Sequence, residues 1–174
     1  MLAQPARGRR AHPGMNMIAT ALKVETLDGS PVLAGRLKEI FGSPSDPIEA
    51  VTERAGRLLP DLPVIVWEGD PQTFIFGYVS PSAEKVLGYP VAMWREPGFW
   101  AKTVVHPDDE LDAVAYCALA TGQGRDHDFH YRARTASGET VLLHDVVHVI
   151  KSPLGLAARL RGIMVPVARE LPED

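Results

Sequence analysis

Apolar positions follow two different periods along the chain. Over residues 30–61 they recur at helical spacing. Ser30-Pro31 opens a segment whose stripe is Leu33, Leu37, Ile40 and Phe41, and Gly42 stops it. Asp46-Pro47 opens a second segment, with Glu49 three residues after the cap and a stripe of Ile48, Val51, Ala55 and Leu58 that Pro60 ends. Both predict amphipathic helices too short to stand alone, so their stripes must be buried against something.

From Leu62 onward the pattern becomes that of strands joined by short helices. Residues 64–68 and 74–79 predict a hairpin around the turn Gly69-Asp-Pro-Gln72. Ser80-Pro81 then predicts a short helix, with Ser80 as cap, Glu84 in the first turn and Val86 and Leu87 as its apolar face. Gly88 ends it in the left-handed conformation, and Pro90 forbids continuation. Residues 91–94 and 99–104 predict short helical turns. His106-Pro-Asp-Asp109 begins the longest helix, with Asp108 or Asp109 as cap and a stripe of Leu111, Val114, Ala115 and Leu119. Three strands follow, at about residues 128–135, 139–151 and 156–167, with turns at Ala136-Ser-Gly138 and Ser152-Pro-Leu-Gly155.

The long strand at 139–151 is apolar on both faces. Alternation puts Leu142, His144, Val146, His148 and Ile150 on one side, and Val141, Leu143, Val147 and Val149 on the other. One face is expected to line an internal cavity. The other needs a cover, which the N-terminal helices can supply.

Three stretches carry a family signal. They are Tyr78-Val-Ser-Pro-Ser-Ala-Glu-Lys-Val-Leu-Gly-Tyr-Pro90, Phe99-Trp-Ala-Lys-Thr-Val-Val-His-Pro-Asp-Asp109 and Phe129-His-Tyr-Arg-Ala-Arg-Thr-Ala-Ser-Gly-Glu139. In this order and spacing they resemble the PAS domains of bacterial sensors over residues 62–167. The resemblance implies an α+β fold: a five-stranded antiparallel sheet with short helices over one face, here with N-terminal capping helices. The chain then divides into a disordered arm (1–29), amphipathic helices (30–61), the PAS domain (62–167) and a tail (168–174). Two positions depart from the family pattern. Leu142 stands where a Trp is usual, and Val165-Pro-Val167 replaces the usual Asp-Ile-Thr. Pro166 cannot donate a ladder bond, so it should lie at a strand end or edge.

Composition narrows the function classes. Apolar content of 45% supports a buried core, and a net charge of −4 favours neither nucleic acid nor an anionic membrane. Arg7, Arg9 and Arg10 read as part of a solvated tail. The single cysteine, Cys117, excludes an internal disulfide and fits a reducing compartment. No apolar run approaches the roughly 20 residues needed to span a bilayer, so a cytoplasmic location is expected.

The candidate chemistry is sparse. His106 reads either as a helix-entry residue or as a haem ligand, a role that some PAS sensors give a histidine in this region. His144 and His148 share a strand face and could meet a ligand; no metal is expected there. His127 and His130 are three apart on a strand and point to opposite faces. The flavin-attachment motif of the light-sensing branch is absent, so flavin is disfavoured and Cys117 reads as a small packed residue. There is no phosphate-binding glycine loop and no Gly-x-Ser-x-Gly elbow, so no enzyme is expected.

The leading expectation is a non-enzymatic sensory or interaction module of bacterial signal transduction. Its candidate pocket comprises Trp67, Phe99, Trp100, His144, His148 and Met164. Signalling would pass through a homodimer contact at Leu37, Ile40, Phe41, Val51 and Leu58, or through an effector domain or partner protein, since little chain follows the last strand. The rival fate of the same five residues is to fold back on their own sheet. Two alternatives stand beside the leading one. The first is a haem-based gas or redox sensor. The second is a pure dimerisation module whose cavity is filled by Trp67, Phe74, Phe76, Phe99 and Trp100.

Overall fold

The computed structural model describes residues 31–167. The expected arm, the Ser30 cap, the side chain of Leu33 and the tail fall outside the described residues. Two helices come first, α1 (Pro31–Phe41) and α2 (Ile48–Leu58). They are followed by β1 (Ile65–Gly69), β2 (Phe76–Val79), α3 (Ser82–Leu87), a 3-10 turn (Val91–Arg95) and a π-helical turn (Trp100–Val104). Then come α4 (Pro107–Gly122), β3 (His127–Arg134), β4 (Thr140–Lys151) and β5 (Ala157–Pro166). The strands form one antiparallel sheet in the order β2-β1-β5-β4-β3. This is the α+β arrangement expected, with Pro166 as the last residue of β5.

Two apolar layers lie against the sheet. On the inner face Trp67, Phe129, Tyr131, Leu143, Val147 and Met164 pack under α3, the two short turns and α4. On the outer face Val64, Val66, Val146, Ile163 and Val165 are covered by α1 and α2. Leu37, Ile40 and Val51 are 2%, 0% and 0% exposed there. Removing each such side chain from water is worth about 1.5–3 kcal/mol, which holds two short helices that could not persist alone.

Polar contacts fix the same layer. Buried Arg161 donates through Nε to Glu68 Oε2 at 2.7 Å and through Nη2 to the Asp46 carbonyl at 2.6 Å. Arg159 donates to the Pro44 carbonyl at 2.7 Å. The α1–α2 connection is thereby tied to β5 at two points.

This arrangement corrects the expected interface. Leu37, Ile40, Phe41 and Val51 are buried inside one chain, and Leu58 is half-buried against the same layer. The outer sheet face is apolar and lies next to the helices in sequence, and their stripes cover it.

Three caps differ from expectation. Asp46 does not cap α2; its Oδ2 accepts from Ser43 N and from Arg54 Nη2. Ser80 does not cap α3; its hydroxyl accepts the Val66 N–H at 2.8 Å and extends the β1–β2 pairing by a side chain. The cap of α4 is His106, whose Nδ1 accepts the Asp108 N–H at 3.1 Å. Asp109 is withdrawn from that duty. Its carboxylate is buried and accepts from Arg132 N, Nε and Nη2 at 2.9, 3.0 and 2.8 Å. Gly88 behaves as expected, ending α3 at φ 85°.

The phase of α4 is also corrected. Its buried side is Asp109, Ala113, Cys117, Ala120 and Thr121. Leu111 and Leu119, placed in the stripe by periodicity, are 80% and 60% exposed. The sheet beneath carries large rings at Phe129 and Tyr131, leaving room only for small residues on the helix above.

Candidate functional site

The inner face of the sheet lines a cavity of about 20 Å³, room for one water molecule. Its walls include Trp67, Phe76, Trp100, Cys117, Phe129 and Asp145. They come from β1, β2, the π-helical turn, α4, β3 and β4. Asp145 is the one carboxylate in this wall that is fully buried, at 1% exposure.

A chain of donors converges on Asp145. Trp67 Nε1 donates to its Oδ1 at 3.0 Å, and Tyr131 OH donates to its Oδ2 at 2.9 Å. Trp100 Nε1 in turn donates to Tyr131 OH at 3.0 Å. Burial pushes the Asp145 carboxyl up to about 7, against the two hydrogen bonds that favour its ionised form. Burial and the adjacent Asp145 raise the Tyr131 phenol well above its ordinary range, so Tyr131 remains a donor. The carboxyl therefore sits near its own titration point at neutral pH, in a dry site with room for a small polar guest.

Cys117 and His127 form the adjoining wall. His127 Nδ1–H donates to the Arg125 carbonyl at 2.9 Å, which leaves Nε2 to accept from the Cys117 thiol at 3.4 Å. Burial pushes that thiol up to about 12, so it is held as a neutral, unreactive group.

Phe74 stands where the cavity meets the surface. It lines the internal cavity and also a surface groove beside Ala118, Gly122 and Leu156. Its backbone is at φ 55°, and among the described residues it is the one non-glycine at positive φ. The loop that holds it is fixed by Asp70, whose Oδ1 accepts from Gln72 N and Thr73 N at 2.8 and 2.9 Å.

The six residues expected to form a pocket divide between two faces. Trp67 and Trp100 line the cavity. Phe99 and Met164 belong to the surrounding inner core. His144 and His148 lie on the outer face, with Val146, and do not reach the cavity. His144 Nε2 is 2.6 Å from Asp128 Oδ2, and the His130 and His144 rings stack at 4.1 Å. His148 Nδ1 donates to Asp126 Oδ2 at 2.9 Å, and its ring meets Phe41 under α1. Alternation separates the two faces, but with both largely apolar it does not say which one turns inward.

The residues do not fit a haem. His106 is spent as the α4 cap and does not line the cavity, and a space of about 20 Å³ cannot take a macrocycle. Among the described residues no group of three His, Cys, Asp or Glu side chains could hold a metal ion, and no helix is long and apolar enough to cross a membrane.

Asp145 itself was missed by the sequence reading. The available signal was a lone carboxylate in the series Val141, Leu143, Val147 and Val149, where a charge is costly unless hydrogen-bonded.

The fold has relatives. No curated protein matches the chain. Among solved structures, the N-terminal domain of a diguanylate cyclase with PAS/PAC sensor from Marinobacter aquaeolei is 35% identical, covering 60% of this chain and 94% of that one with a TM-score of 0.56. A sensory box histidine kinase/response regulator from Burkholderia thailandensis is 23% identical, covering 66% of this chain and 84% of that one at a TM-score of 0.52. The PAS domain of the fruit-fly ELK potassium channel, at 10% identity, covers 72% of this chain and all of its own at a TM-score of 0.57, a likeness of fold alone. A family model described as PAS fold matches residues 76–164, more than half of the chain. The chain belongs to the PAS family.

Proposed function

We propose that this chain is a sensory module of a signal-transduction protein, and that its input is a small polar molecule admitted to the cavity at Asp145. The supporting observation is the carboxyl itself. A buried acid with two indole- and phenol-derived donors and a water-sized space beside it is expensive to maintain for packing alone. The guest has few heavy atoms and at least one hydrogen-bonding group, since the ionised carboxylate accepts and the protonated carboxyl also donates. Membership of a family whose relatives include domains named as parts of a diguanylate cyclase and a histidine kinase supports the sensory reading. A guest that enters this space changes the Trp67–Asp145–Tyr131 chain, and with it β1, β3 and β4 together.

The test is a two-dimensional NMR titration of the full chain with ammonium, methanol and ethylene glycol. Saturable movement of the Trp67 and Trp100 indole N–H signals with at least one probe, lost in Asp145→Asn, is the expected result. Indole signals indifferent to all three would defeat the proposal.

A further inference from the structure

Helix α4 carries an exposed apolar strip. Leu111 and Leu119 are 80% and 60% exposed, and Ala115, Ala118 and Gly122 are exposed with them. At i, i+4, i+7, i+8 and i+11 these positions share one face of a helix. Large exposed leucines in line mark a contact surface more often than solitary ones do.

We propose that this strip joins two copies of the chain, with their α4 helices antiparallel about a two-fold axis at Ala115. Three observations select a second copy as the occupant. First, the strip is symmetric about its own centre. Leu111 and Leu119 lie four residues either side of Ala115, about 6 Å along the axis. A two-fold there sets Leu111 of each copy beside Leu119 of the other, which is the self-complementarity that a closed dimer requires.

Second, a recess stands where each Leu111 would arrive. Ala118 and Gly122 have little or no side chain, and with Leu156 of the β4–β5 turn they line a groove of about 420 Å³. In the antiparallel pair the partner's Leu111 comes level with Leu119, beside Ala118 and within a turn of Gly122. A protruding leucine thus meets a hollow formed by small residues.

Third, charge favours this direction. Asp108 and Asp112 lie at the start of α4, and Arg125 lies three residues beyond its end. Antiparallel packing brings the acids of one copy toward Arg125 of the other and opposes the two helix dipoles. Parallel packing would set acid against acid. The contact is independent of the outer face, which α1 and α2 already occupy.

Sedimentation and cysteine cross-linking on the full chain decide it. Residue 115 lies on the axis, so Ala115→Cys meets its own copy and should form an intermolecular disulfide rapidly under mild oxidation. The native Cys117 is buried and should not compete. Glu53→Cys on α2, exposed but away from the strip, should remain reduced. Leu111→Asp and Leu119→Asp should each raise the dimer dissociation constant at least about tenfold, with unchanged circular dichroism. The proposal is overturned if the chain sediments as a monomer at high micromolar concentration. It is equally overturned if a dimer survives both aspartates, or if Ala115→Cys links no faster than Glu53→Cys.

Discussion

The indole of Trp67 lies flat across Gly162. The two residues are cross-strand partners in β1 and β5, and a Cβ at residue 162 would fall 2.2 Å from Cε2 of the ring and 2.5 Å from its Nε1. This absence of a side chain lets Trp67 pass over β5 and donate to Asp145 on β4. Gly162→Ala should therefore lift the indole, break that bond and cost about 1–3 kcal/mol through overpacking. Urea denaturation together with the Trp67 indole proton shift measures both effects. An unmoved indole signal at wild-type stability would refute the relationship.

The Asp145 carboxyl predicts a slope of stability with pH. Its ordinary value is 3.8 and burial raises the folded value to about 7, so the folded state keeps a proton that the unfolded state has lost. This contribution is complete below the unfolded value and declines as pH rises through 7. His130 acts in the opposite sense. Burial and the neighbouring His144 lower it from 6.5 to about 4, so its contribution declines as pH falls below 6.5. Comparing urea midpoints at pH 5.5 and 8 in wild type and Asp145→Asn isolates the first effect. The wild type should lose more stability on going to the higher pH, and equal losses would sink the assignment.

Phe74 predicts who can enter. Glycine would relieve its left-handed backbone but remove the ring that separates cavity from groove. Phe74→Gly should raise the rate at which a small methanethiosulfonate labels Cys117 by at least about tenfold, whereas Phe74→Leu should stay close to wild type. The sole cysteine makes the readout unambiguous. If both variants label at the wild-type rate at pH 9, Phe74 is not the barrier.

Asp109 predicts where the α4 start is fastened. Burial alone would raise its carboxyl, but the side-chain and backbone hydrogen bonds from Arg132 outweigh this and hold it below the ordinary range. Asp109→Asn weakens a bidentate pair next to a buried backbone bond and should cost about 2–4 kcal/mol. Asp108→Asn, at an exposed carboxylate one residue away, should change stability by less than about 0.5 kcal/mol. Chemical denaturation of the two variants side by side provides the check, and equal losses would argue against the assignment.

Much of the fold was legible because local chemistry agreed with it. Gly88, Gly138 and Gly155 all adopt the positive φ that their turns need, and Pro166 stands where its missing N–H is harmless. The errors arose where tertiary packing chose between locally equal options. Leu111 and Leu119 have the better apolar side chains, yet Ala113 and Cys117 take the core because Phe129 and Tyr131 fill the space beneath. Asp46 and Ser80 are ordinary caps by type, but Asp46 turns back to Ser43 and across to Arg54, and Ser80 turns to Val66. The candidate site was half visible. Its rings Trp67 and Trp100 stood out by size, whereas Asp145 gains its meaning only from donors brought to it across the sheet.

The central position of β5 has a consequence during synthesis. It is the last of the described strands in sequence, yet β1 and β4 are joined in the sheet only through it. A nascent chain can form the β1–β2 and β3–β4 hairpins early, but they remain two separate ribbons until residues 157–166 leave the ribosome. Closure then spans nearly a hundred residues of sequence, from Ile65 to Met164, a long-range step of the kind that slows folding. Until it occurs, the inner rings and the stripes of α1 and α2 have no complete sheet to cover, and that apolar surface stays open to wrong contacts.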